Sequence, residues 1–411
     1  MHKYFYVMSI VNKDPPQAKL VSLMKHFQSN ESNEAEKLAR TISKEFPKHP
    51  FAWKVLGAVL GQTRRFAEAL IVNQKVIILS PKDAAAHYNL AITLKGLGKL
   101  EESEVTYRQA ITLKPDYAEA YNNLGVILQE LGKLEEARES FLQAIKLKPD
   151  HAEAFWNLSS CEKNIKNSEY WIDQCLLADK NYWKARLTKA ALGYYQGKKD
   201  DFENLMQTKV KETGYMRSYS WVFNLPHLPE LHFGKWYFFD AVINKSIPSR
   251  PFYEFGVWRA SSFRYLINTY KKGYGFDTFT GLPEDWDVVS HIEKKGNYSS
   301  DGNVPKIKGG EFIVGKFEDT LPVFFSKKRP LASLINFDAD LYSSTICALN
   351  FSKDVIDENT ILVFDEFLMN DSWEQDEFKA LNEFCSINHC EFKVIAISFF
   401  TKQVAVKLIN I

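Results

Sequence analysis

Cysteine is scarce in this chain. The five residues, at positions 161, 175, 347, 385 and 390 of 411, are odd in number and scattered. Such a set gives no disulfide framework and points to a reducing compartment. Cys385, His389 and Cys390 meet in CSINHC, but a zinc site takes about four ligands and no second cluster follows. An excess of charge of one sign is also missing. Lys plus Arg is 52 and Asp plus Glu is 51, a formal net charge of +1. General nucleic-acid binders carry a basic excess, so no nucleic-acid partner is expected. Long apolar runs are absent too. The N-terminal stretch MHKYFYVMSIVNKD holds about eight apolar residues, against about 20 for a membrane span, and has no small-residue cleavage site. The expectation is a cytoplasmic protein without a membrane partner. Disorder and collagen-like classes are excluded by a composition that is 45% hydrophobic and 25% charged.

The length suggests two to three domains at roughly 150 residues each. The charges divide unevenly along it: 31 basic and 26 acidic residues up to Thr213, then 21 and 25 from Gly214. The pattern divides as well. Pro47, Pro81, Pro115 and Pro149 are spaced by 34 residues throughout. Around that ruler Trp53, His87, Tyr121 and Phe155 fall in register, as do Leu56, Leu90, Leu124 and Leu158. Gly57, Ala91 and Gly125 are small where two helices must approach, and Ala69, Ser103 and Ala137 recur in the second half of each unit. Apolar residues repeat at helical spacing in both halves, and the proline ends the second helix because it cannot continue the hydrogen-bond ladder. This pattern resembles the tetratricopeptide repeat, a 34-residue helix–turn–helix unit that stacks into a superhelix. Residues 16–213 are the expected extent of the repeats, with weaker units at both ends.

Asn89, Asn123 and Asn157 are also 34 residues apart. In tetratricopeptide arrays that position of the first helix lines the concave groove, and the ladder resembles the groove of the O-GlcNAc transferase repeats. The three amides would then hydrogen-bond the backbone of an extended protein or peptide partner. The other reading is that each asparagine satisfies adjacent backbone groups. A tetratricopeptide glycosyltransferase would need more chain than remains.

From Gly214 the period changes. Residues 214–248 are aromatic-rich and broken by proline, which suggests a linker or lid. Beyond them short apolar runs alternate with helical stretches. Strands are expected near 252–257, 273–277, 311–315, 331–338, 360–365, 391–398 and 402–409, and helices near 261–272, 318–327, 344–357 and 373–388. That alternation predicts an α/β, Rossmann-like fold over 249–411, with a mostly parallel sheet and an antiparallel hairpin at its end. In such sheets ligands lie beyond the carboxyl ends of the strands. Glu254, Gly256, Asp277, Gly315, Asp338, Asp340, Asp365 and Glu366 all fall there.

YEFGVWRASS, YGFDTFTGLPEDW, GEFIVGKFEDTLP, NFDADLYSST and LVFDEF, in this order, resemble the macrocin O-methyltransferase family, class I S-adenosylmethionine (SAM) enzymes that act on sugar hydroxyls. The resemblance implies that Glu254, Gly256 and Ser261 or Ser262 hold the methionine end of SAM, that Asp277 takes the ribose, and that Phe317 lies by the adenine. It implies Mg²⁺ on Asp338, Asp365 and Glu366, with Asp338 catalytic and a saccharide or other hydroxyl-bearing substrate. Hard oxygen ligands suit that ion; Asp338 and Asp365 are alternatively helix caps. The chain departs from the family at Arg259-Ala260-Ser261, where relatives carry a glycine after the arginine, and at Asn336, where many have a histidine. The general base is unassigned, with His291 one candidate. The alternative function is an interaction scaffold with an inactive methyltransferase domain, and self-association as a dimer fits both halves.

Overall fold

The computed structural model describes residues 14–288 and 292–410. His291 and the N-terminal apolar run lie outside the described residues. The chain divides into two compact units, Met1–Leu128 and Gln129–Ile411.

In the first unit the helices are α1 (Gln17–Gln28), α2 (Ser32–Glu45), α3 (Pro50–Gln62), α4 (Phe66–Leu79), α5 (Ala84–Gly96), α6 (Leu100–Leu113) and α7 (Ala118–Glu130), the last crossing the unit boundary. Pro47, Pro81 and Pro115 each fall two residues past a helix end, as the missing N–H requires. Leu56, Ala69, Ala91 and Ser103, all repeat positions, are buried. Gly57 is small for a reason: a methyl group there would lie 2.0 Å from Asn73 Oδ1. Asn73 is itself buried and donates to Thr93 Oγ1 at 2.9 Å, tying α4 to α5. Removing the amide leaves a desolvated hydroxyl without its donor. Asn73→Ala is expected to lose about 1–3 kcal/mol, read as a lower urea midpoint; an unchanged midpoint would show the amide to be incidental.

The second unit begins with α8 (Leu134–Leu147), α9 (Ala152–Ser159), α10 (Ile165–Ala178), α11 (Trp183–Tyr195), α12 (Asp200–Met206) and α13 (Gly214–Phe223). Next come β1 (Glu230–His232), α14 (Lys235–Asn244), β2 (Phe252–Phe255), α15 (Ser261–Tyr270) and β3 (Gly273–Asp277). A two-stranded ribbon of β4 (Trp286–Asp287) and β5 (Ile292–Glu293) precedes β6 (Gly310–Val314), α16 (Phe317–Phe325) and β7 (Leu334–Phe337). The chain ends with α17 (Tyr342–Ser352), β8 (Ile361–Phe364), α18 (Glu377–Asn388), β9 (Glu391–Ser398) and β10 (Val404–Ile409).

The large sheet runs in the order β1-β9-β10-β8-β7-β2-β3-β6. Every pairing in it is parallel except those of β10, which is antiparallel to β8 and to β9. The mostly parallel sheet and the terminal hairpin therefore follow the sequence reading. Strands β2, β7 and β8 are buried at every position, as strands covered on both faces must be.

The segment 214–248, expected as a linker or lid, folds as α13, β1 and α14, and β1 pairs with β9 at the sheet edge. Nor does the change of period at Thr213 coincide with the division into units, which falls at Leu128. The helices after it share a core with the sheet. Trp156 stacks on Phe400 at 5.1 Å, and Tyr219 sets an edge against Phe399 at 4.7 Å. Arg217 forks onto Glu374, at 2.6 Å from Oε1, and donates to the Asp371 carbonyl.

Candidate functional site: the strand-end carboxylates

Four phenylalanines set the geometry of the site. Phe276, Phe255, Phe337 and Phe364 are direct cross-strand partners on β3, β2, β7 and β8. Their rings stack with centroids 4.8, 5.4 and 4.9 Å apart along the row. Because the row is in register, the next residue of each strand emerges at one level. Those residues are Asp277, Gly256, Asp338 and Asp365.

Between β2 and β7 the backbones come unusually close. Gly256 has φ +87, and a methyl group on it would lie 1.7 Å from the Asp338 carbonyl oxygen. Two positions earlier, Glu254 faces Asn336 across the strands. Both are fully buried. Ser262 Oγ donates to Glu254 Oε1 at 3.1 Å; Asn336 faces the acid closely enough to favour its charged form, yet Glu254 Oε2 and both Asn336 amide atoms lack a hydrogen bond of regular geometry. Ser261, expected to face the cofactor's carboxylate, is half-buried at the start of α15, and its neighbour Ser262 is engaged with Glu254.

Asp277 organises the loop after β2. Its Oδ2 accepts from the Val257 and Trp258 amides at 2.7 and 2.6 Å, and its Oδ1 from the Phe279 amide at 2.6 Å. Trp258, Ala260 and Phe279 all carry positive φ here. Ala260, at φ +64, holds the left-handed position in which glycine is the unstrained residue. Phe317 opens α16 half-buried, its ring edge-on to Phe255 at 5.6 Å.

The acids on β7 and β8 meet lysines. Lys235 Nζ lies 3.5 Å from Asp365 Oδ1, which also accepts from the Gln403 amide. Lys402 Nζ lies 2.7 Å from Glu366 Oε2. Glu377, on α18, is buried and accepts from the Glu366 amide at 3.1 Å. With Asp338, Asp340 and Glu254 these make six carboxylates around two ammonium groups. Burial, with repulsion from Asp365, pushes Asp338 up to about 8, against the pull of Lys235. Burial and neighbouring carboxylates raise Asp340, Glu254, Glu366 and Glu377 as well. Burial works against the charge on Lys235, but Asp365, Asp338 and Glu254 outweigh it and hold the ammonium above the usual lysine range.

The asparagine positions differ among themselves. In the first unit Asn89 and Asn123 are half-exposed, and Asn123 donates to Tyr88 OH at 2.9 Å. That tyrosine stacks on Tyr117 at 5.0 Å, an aromatic addition the 34-residue register did not reveal. Asn157, in the second unit, is buried. All five cysteines are free. Among the described residues no group of three His, Cys, Asp or Glu side chains is arranged to hold a metal ion, and no helix is long and apolar enough to cross a membrane.

A tetratricopeptide family model matches residues 118–151, and a TPR repeat model matches residues 94–132. The N-terminal region therefore carries tetratricopeptide repeats. No curated protein matches the chain. Among solved structures it is similar to PilW, described as a widely conserved type IV pilus biogenesis factor, at 18% identity and a TM-score of 0.42, covering 47% of this chain and 92% of that one. It is also similar to pilF of Pseudomonas aeruginosa, at 15% identity and a TM-score of 0.41, covering 46% and 90%. YrrB, described as a TPR protein with an unusual peptide-binding site, is 19% identical with a TM-score of 0.35, covering 41% and 88%.

Proposed function

We propose that the second unit binds SAM and transfers its methyl group to a hydroxyl oxygen, while the tetratricopeptide repeats hold a protein or peptide partner. The observation that carries the reading is the β2–β7 strand pair, where Glu254 Oε2 and the Asn336 amide face each other fully buried without a hydrogen bond of regular geometry. Native proteins seldom leave such groups unsatisfied, so a ligand is their natural complement. The strand order supports the same conclusion. Counted from β2, the sheet runs 3-2-1-4-5, with antiparallel β10 ahead of the sixth strand. That is a doubly-wound order, in which the ligand lies where the order reverses, beside β2.

The acid excess suits a cofactor with a positive sulfonium and ammonium. Glu254 would accept from the ammonium, Gly256 would admit the backbone approach, and Ser261 would face the carboxylate. Asp277 would accept from the ribose hydroxyls through lone pairs the loop amides leave free, with Phe317 beside the adenine. Bound SAM supplies an activated methyl group. Asp338, beside it and displaced to about 8, would accept the proton of the acceptor hydroxyl in its ionised form, favoured toward alkaline pH, as that oxygen takes the methyl and the sulfur–methyl bond breaks to leave a neutral thioether. The saccharide class rests on the sequence resemblance alone.

Titration calorimetry tests this. SAM is expected to bind the wild-type chain, and Glu254→Ala to weaken it by roughly tenfold or more, the worth of a charge-assisted hydrogen bond. No heat with SAM, with or without Mg²⁺, would overturn the proposal. A second reading, an interaction scaffold with an inactive site, is favoured by Ala260 at φ +64 and by the three backbone bonds already on Asp277. The same titration separates the two.

A further inference from the structure

We propose that this site works without a divalent metal, because the chain supplies its own cations, Lys235 and Lys402, against the carboxylates that would otherwise bind one. The inference rests on the methyltransferase reading only for the chemistry these charges serve.

The acids share a level at the strand ends, but their side chains are not arranged to hold a metal, and the charge around them opposes one as well. Mg²⁺ requires near-octahedral oxygen ligands and keeps several waters. Asp338, Asp365 and Glu366 do emerge at adjacent strand ends. Two of the three are already engaged. Asp365 Oδ1 faces Lys235 and accepts from Gln403, and Glu366 Oε2 holds Lys402 at 2.7 Å. A divalent ion among them would have to sit beside two ammonium groups, and like charges in a partly desolvated site repel strongly.

Both lysines are held in place by their surroundings. Lys235 is the first residue of α14. Gly234, before it, packs so tightly that a methyl group would lie 2.3 Å from the Ser160 carbonyl oxygen. Trp236, after it, donates from Nε1 to the Gln129 carbonyl at 2.7 Å, and Tyr237 OH donates to the Cys161 carbonyl at 3.3 Å. The backbone around Lys235 is therefore clamped to the ends of α7 and α9. Lys402 sits in the β9–β10 turn with φ +66, its amide donating to the Ser398 carbonyl at 3.1 Å. Gln403, next to it, is buried and held through Thr401, whose hydroxyl donates to Gln403 Oε1 at 3.0 Å. With Asp365 and Glu366 balanced in this way, Asp338 is the strand-end carboxylate left for the acceptor.

The test uses Mn²⁺ as the probe, followed by the paramagnetic resonance signal of the free ion. The full-length wild-type chain is expected to leave that signal unchanged at millimolar Mn²⁺. The Lys235→Ala/Lys402→Ala variant is expected to bind Mn²⁺ at least roughly tenfold more tightly, since it uncovers hard oxygen ligands. Stoichiometric Mn²⁺ uptake by the wild type, abolished by Asp365→Asn, would overturn the proposal. The wild-type measurement needs no variant, so a misfolded double variant does not rescue the idea. Calorimetry with SAM in EDTA is run alongside. Absent SAM binding with an unchanged Mn²⁺ signal sinks the methyltransferase reading and leaves the cation assignment standing.

Discussion

Replacing Gly256 by alanine is expected to destabilise the second unit by about 3–5 kcal/mol, the sum of a strained backbone and an overpacked contact. Two independent costs meet at this position. At φ +87 any side chain is strained, and the added methyl would lie 1.7 Å from the Asp338 carbonyl oxygen. That neighbour is backbone, so no rotamer change relieves the clash. The only escape is to part β2 from β7, and the two are joined by their ladder and by Phe255 stacked on Phe337. Denaturant unfolding checks this. A loss under about 1 kcal/mol, the scale of glycine's conformational freedom alone, would mean the strands separate at little cost.

Asp338→Asn is expected to stabilise the protein at pH 8 by more than about 1 kcal/mol, since each unit of pKa displacement is worth about 1.4 kcal/mol between the two protonation states. The sign follows from linkage. The carboxyl titrates near 8 in the folded chain against 3.8 for an unperturbed aspartate. Between those values the folded state binds a proton that the unfolded state releases, so stability falls as pH rises. The contribution is complete below the unfolded value and is lost as pH climbs toward 8. Glu254, Asp340, Glu366 and Glu377 are displaced in the same direction. The asparagine variant does not ionise there, so its advantage should shrink as pH is lowered toward 4. Denaturation curves at several pH values measure it, and an advantage independent of pH would contradict the shift.

The parts of the fold that were legible in the sequence are those governed by local rules. Prolines every 34 residues marked helix ends because each lacks the N–H that would continue the ladder past the helix before it. Strands β2, β7 and β8 were visible as apolar runs because both their faces are covered. Even the level of the site was written locally, as Phe-Gly or Phe-Asp in EFG, GFD, NFD and VFD: the phenylalanine joins the stacked row and the following residue stands at the strand end. What could not be read depends on partners distant in the chain. Strand β1 is three residues long in an aromatic stretch, and only pairing with β9 makes it a strand. The repeat-like helices after Leu128 look in sequence like more of the same array, yet Trp156 and Tyr219 pack on Phe400 and Phe399. Lys235 and Lys402 reach their acids from 130 and 36 residues away. Asp277 spends its oxygens on loop amides because of a backbone path that no composition rule encodes.

The position of Lys235 also fixes where this protein can be cut. A fragment starting at residue 249, just ahead of β2 and the strand-end motifs, would keep every motif and still be incomplete. It would leave β1 and α14 behind, expose the outer edge of β9 to pairing with other chains, and strip Asp365 of its cation. Gln129, Ser160 and Cys161 hold the backbone around that lysine, so the cut must fall before them. The autonomous piece is thus set by the edge of the sheet and the root of one ammonium group, about 120 residues ahead of the first recognisable motif.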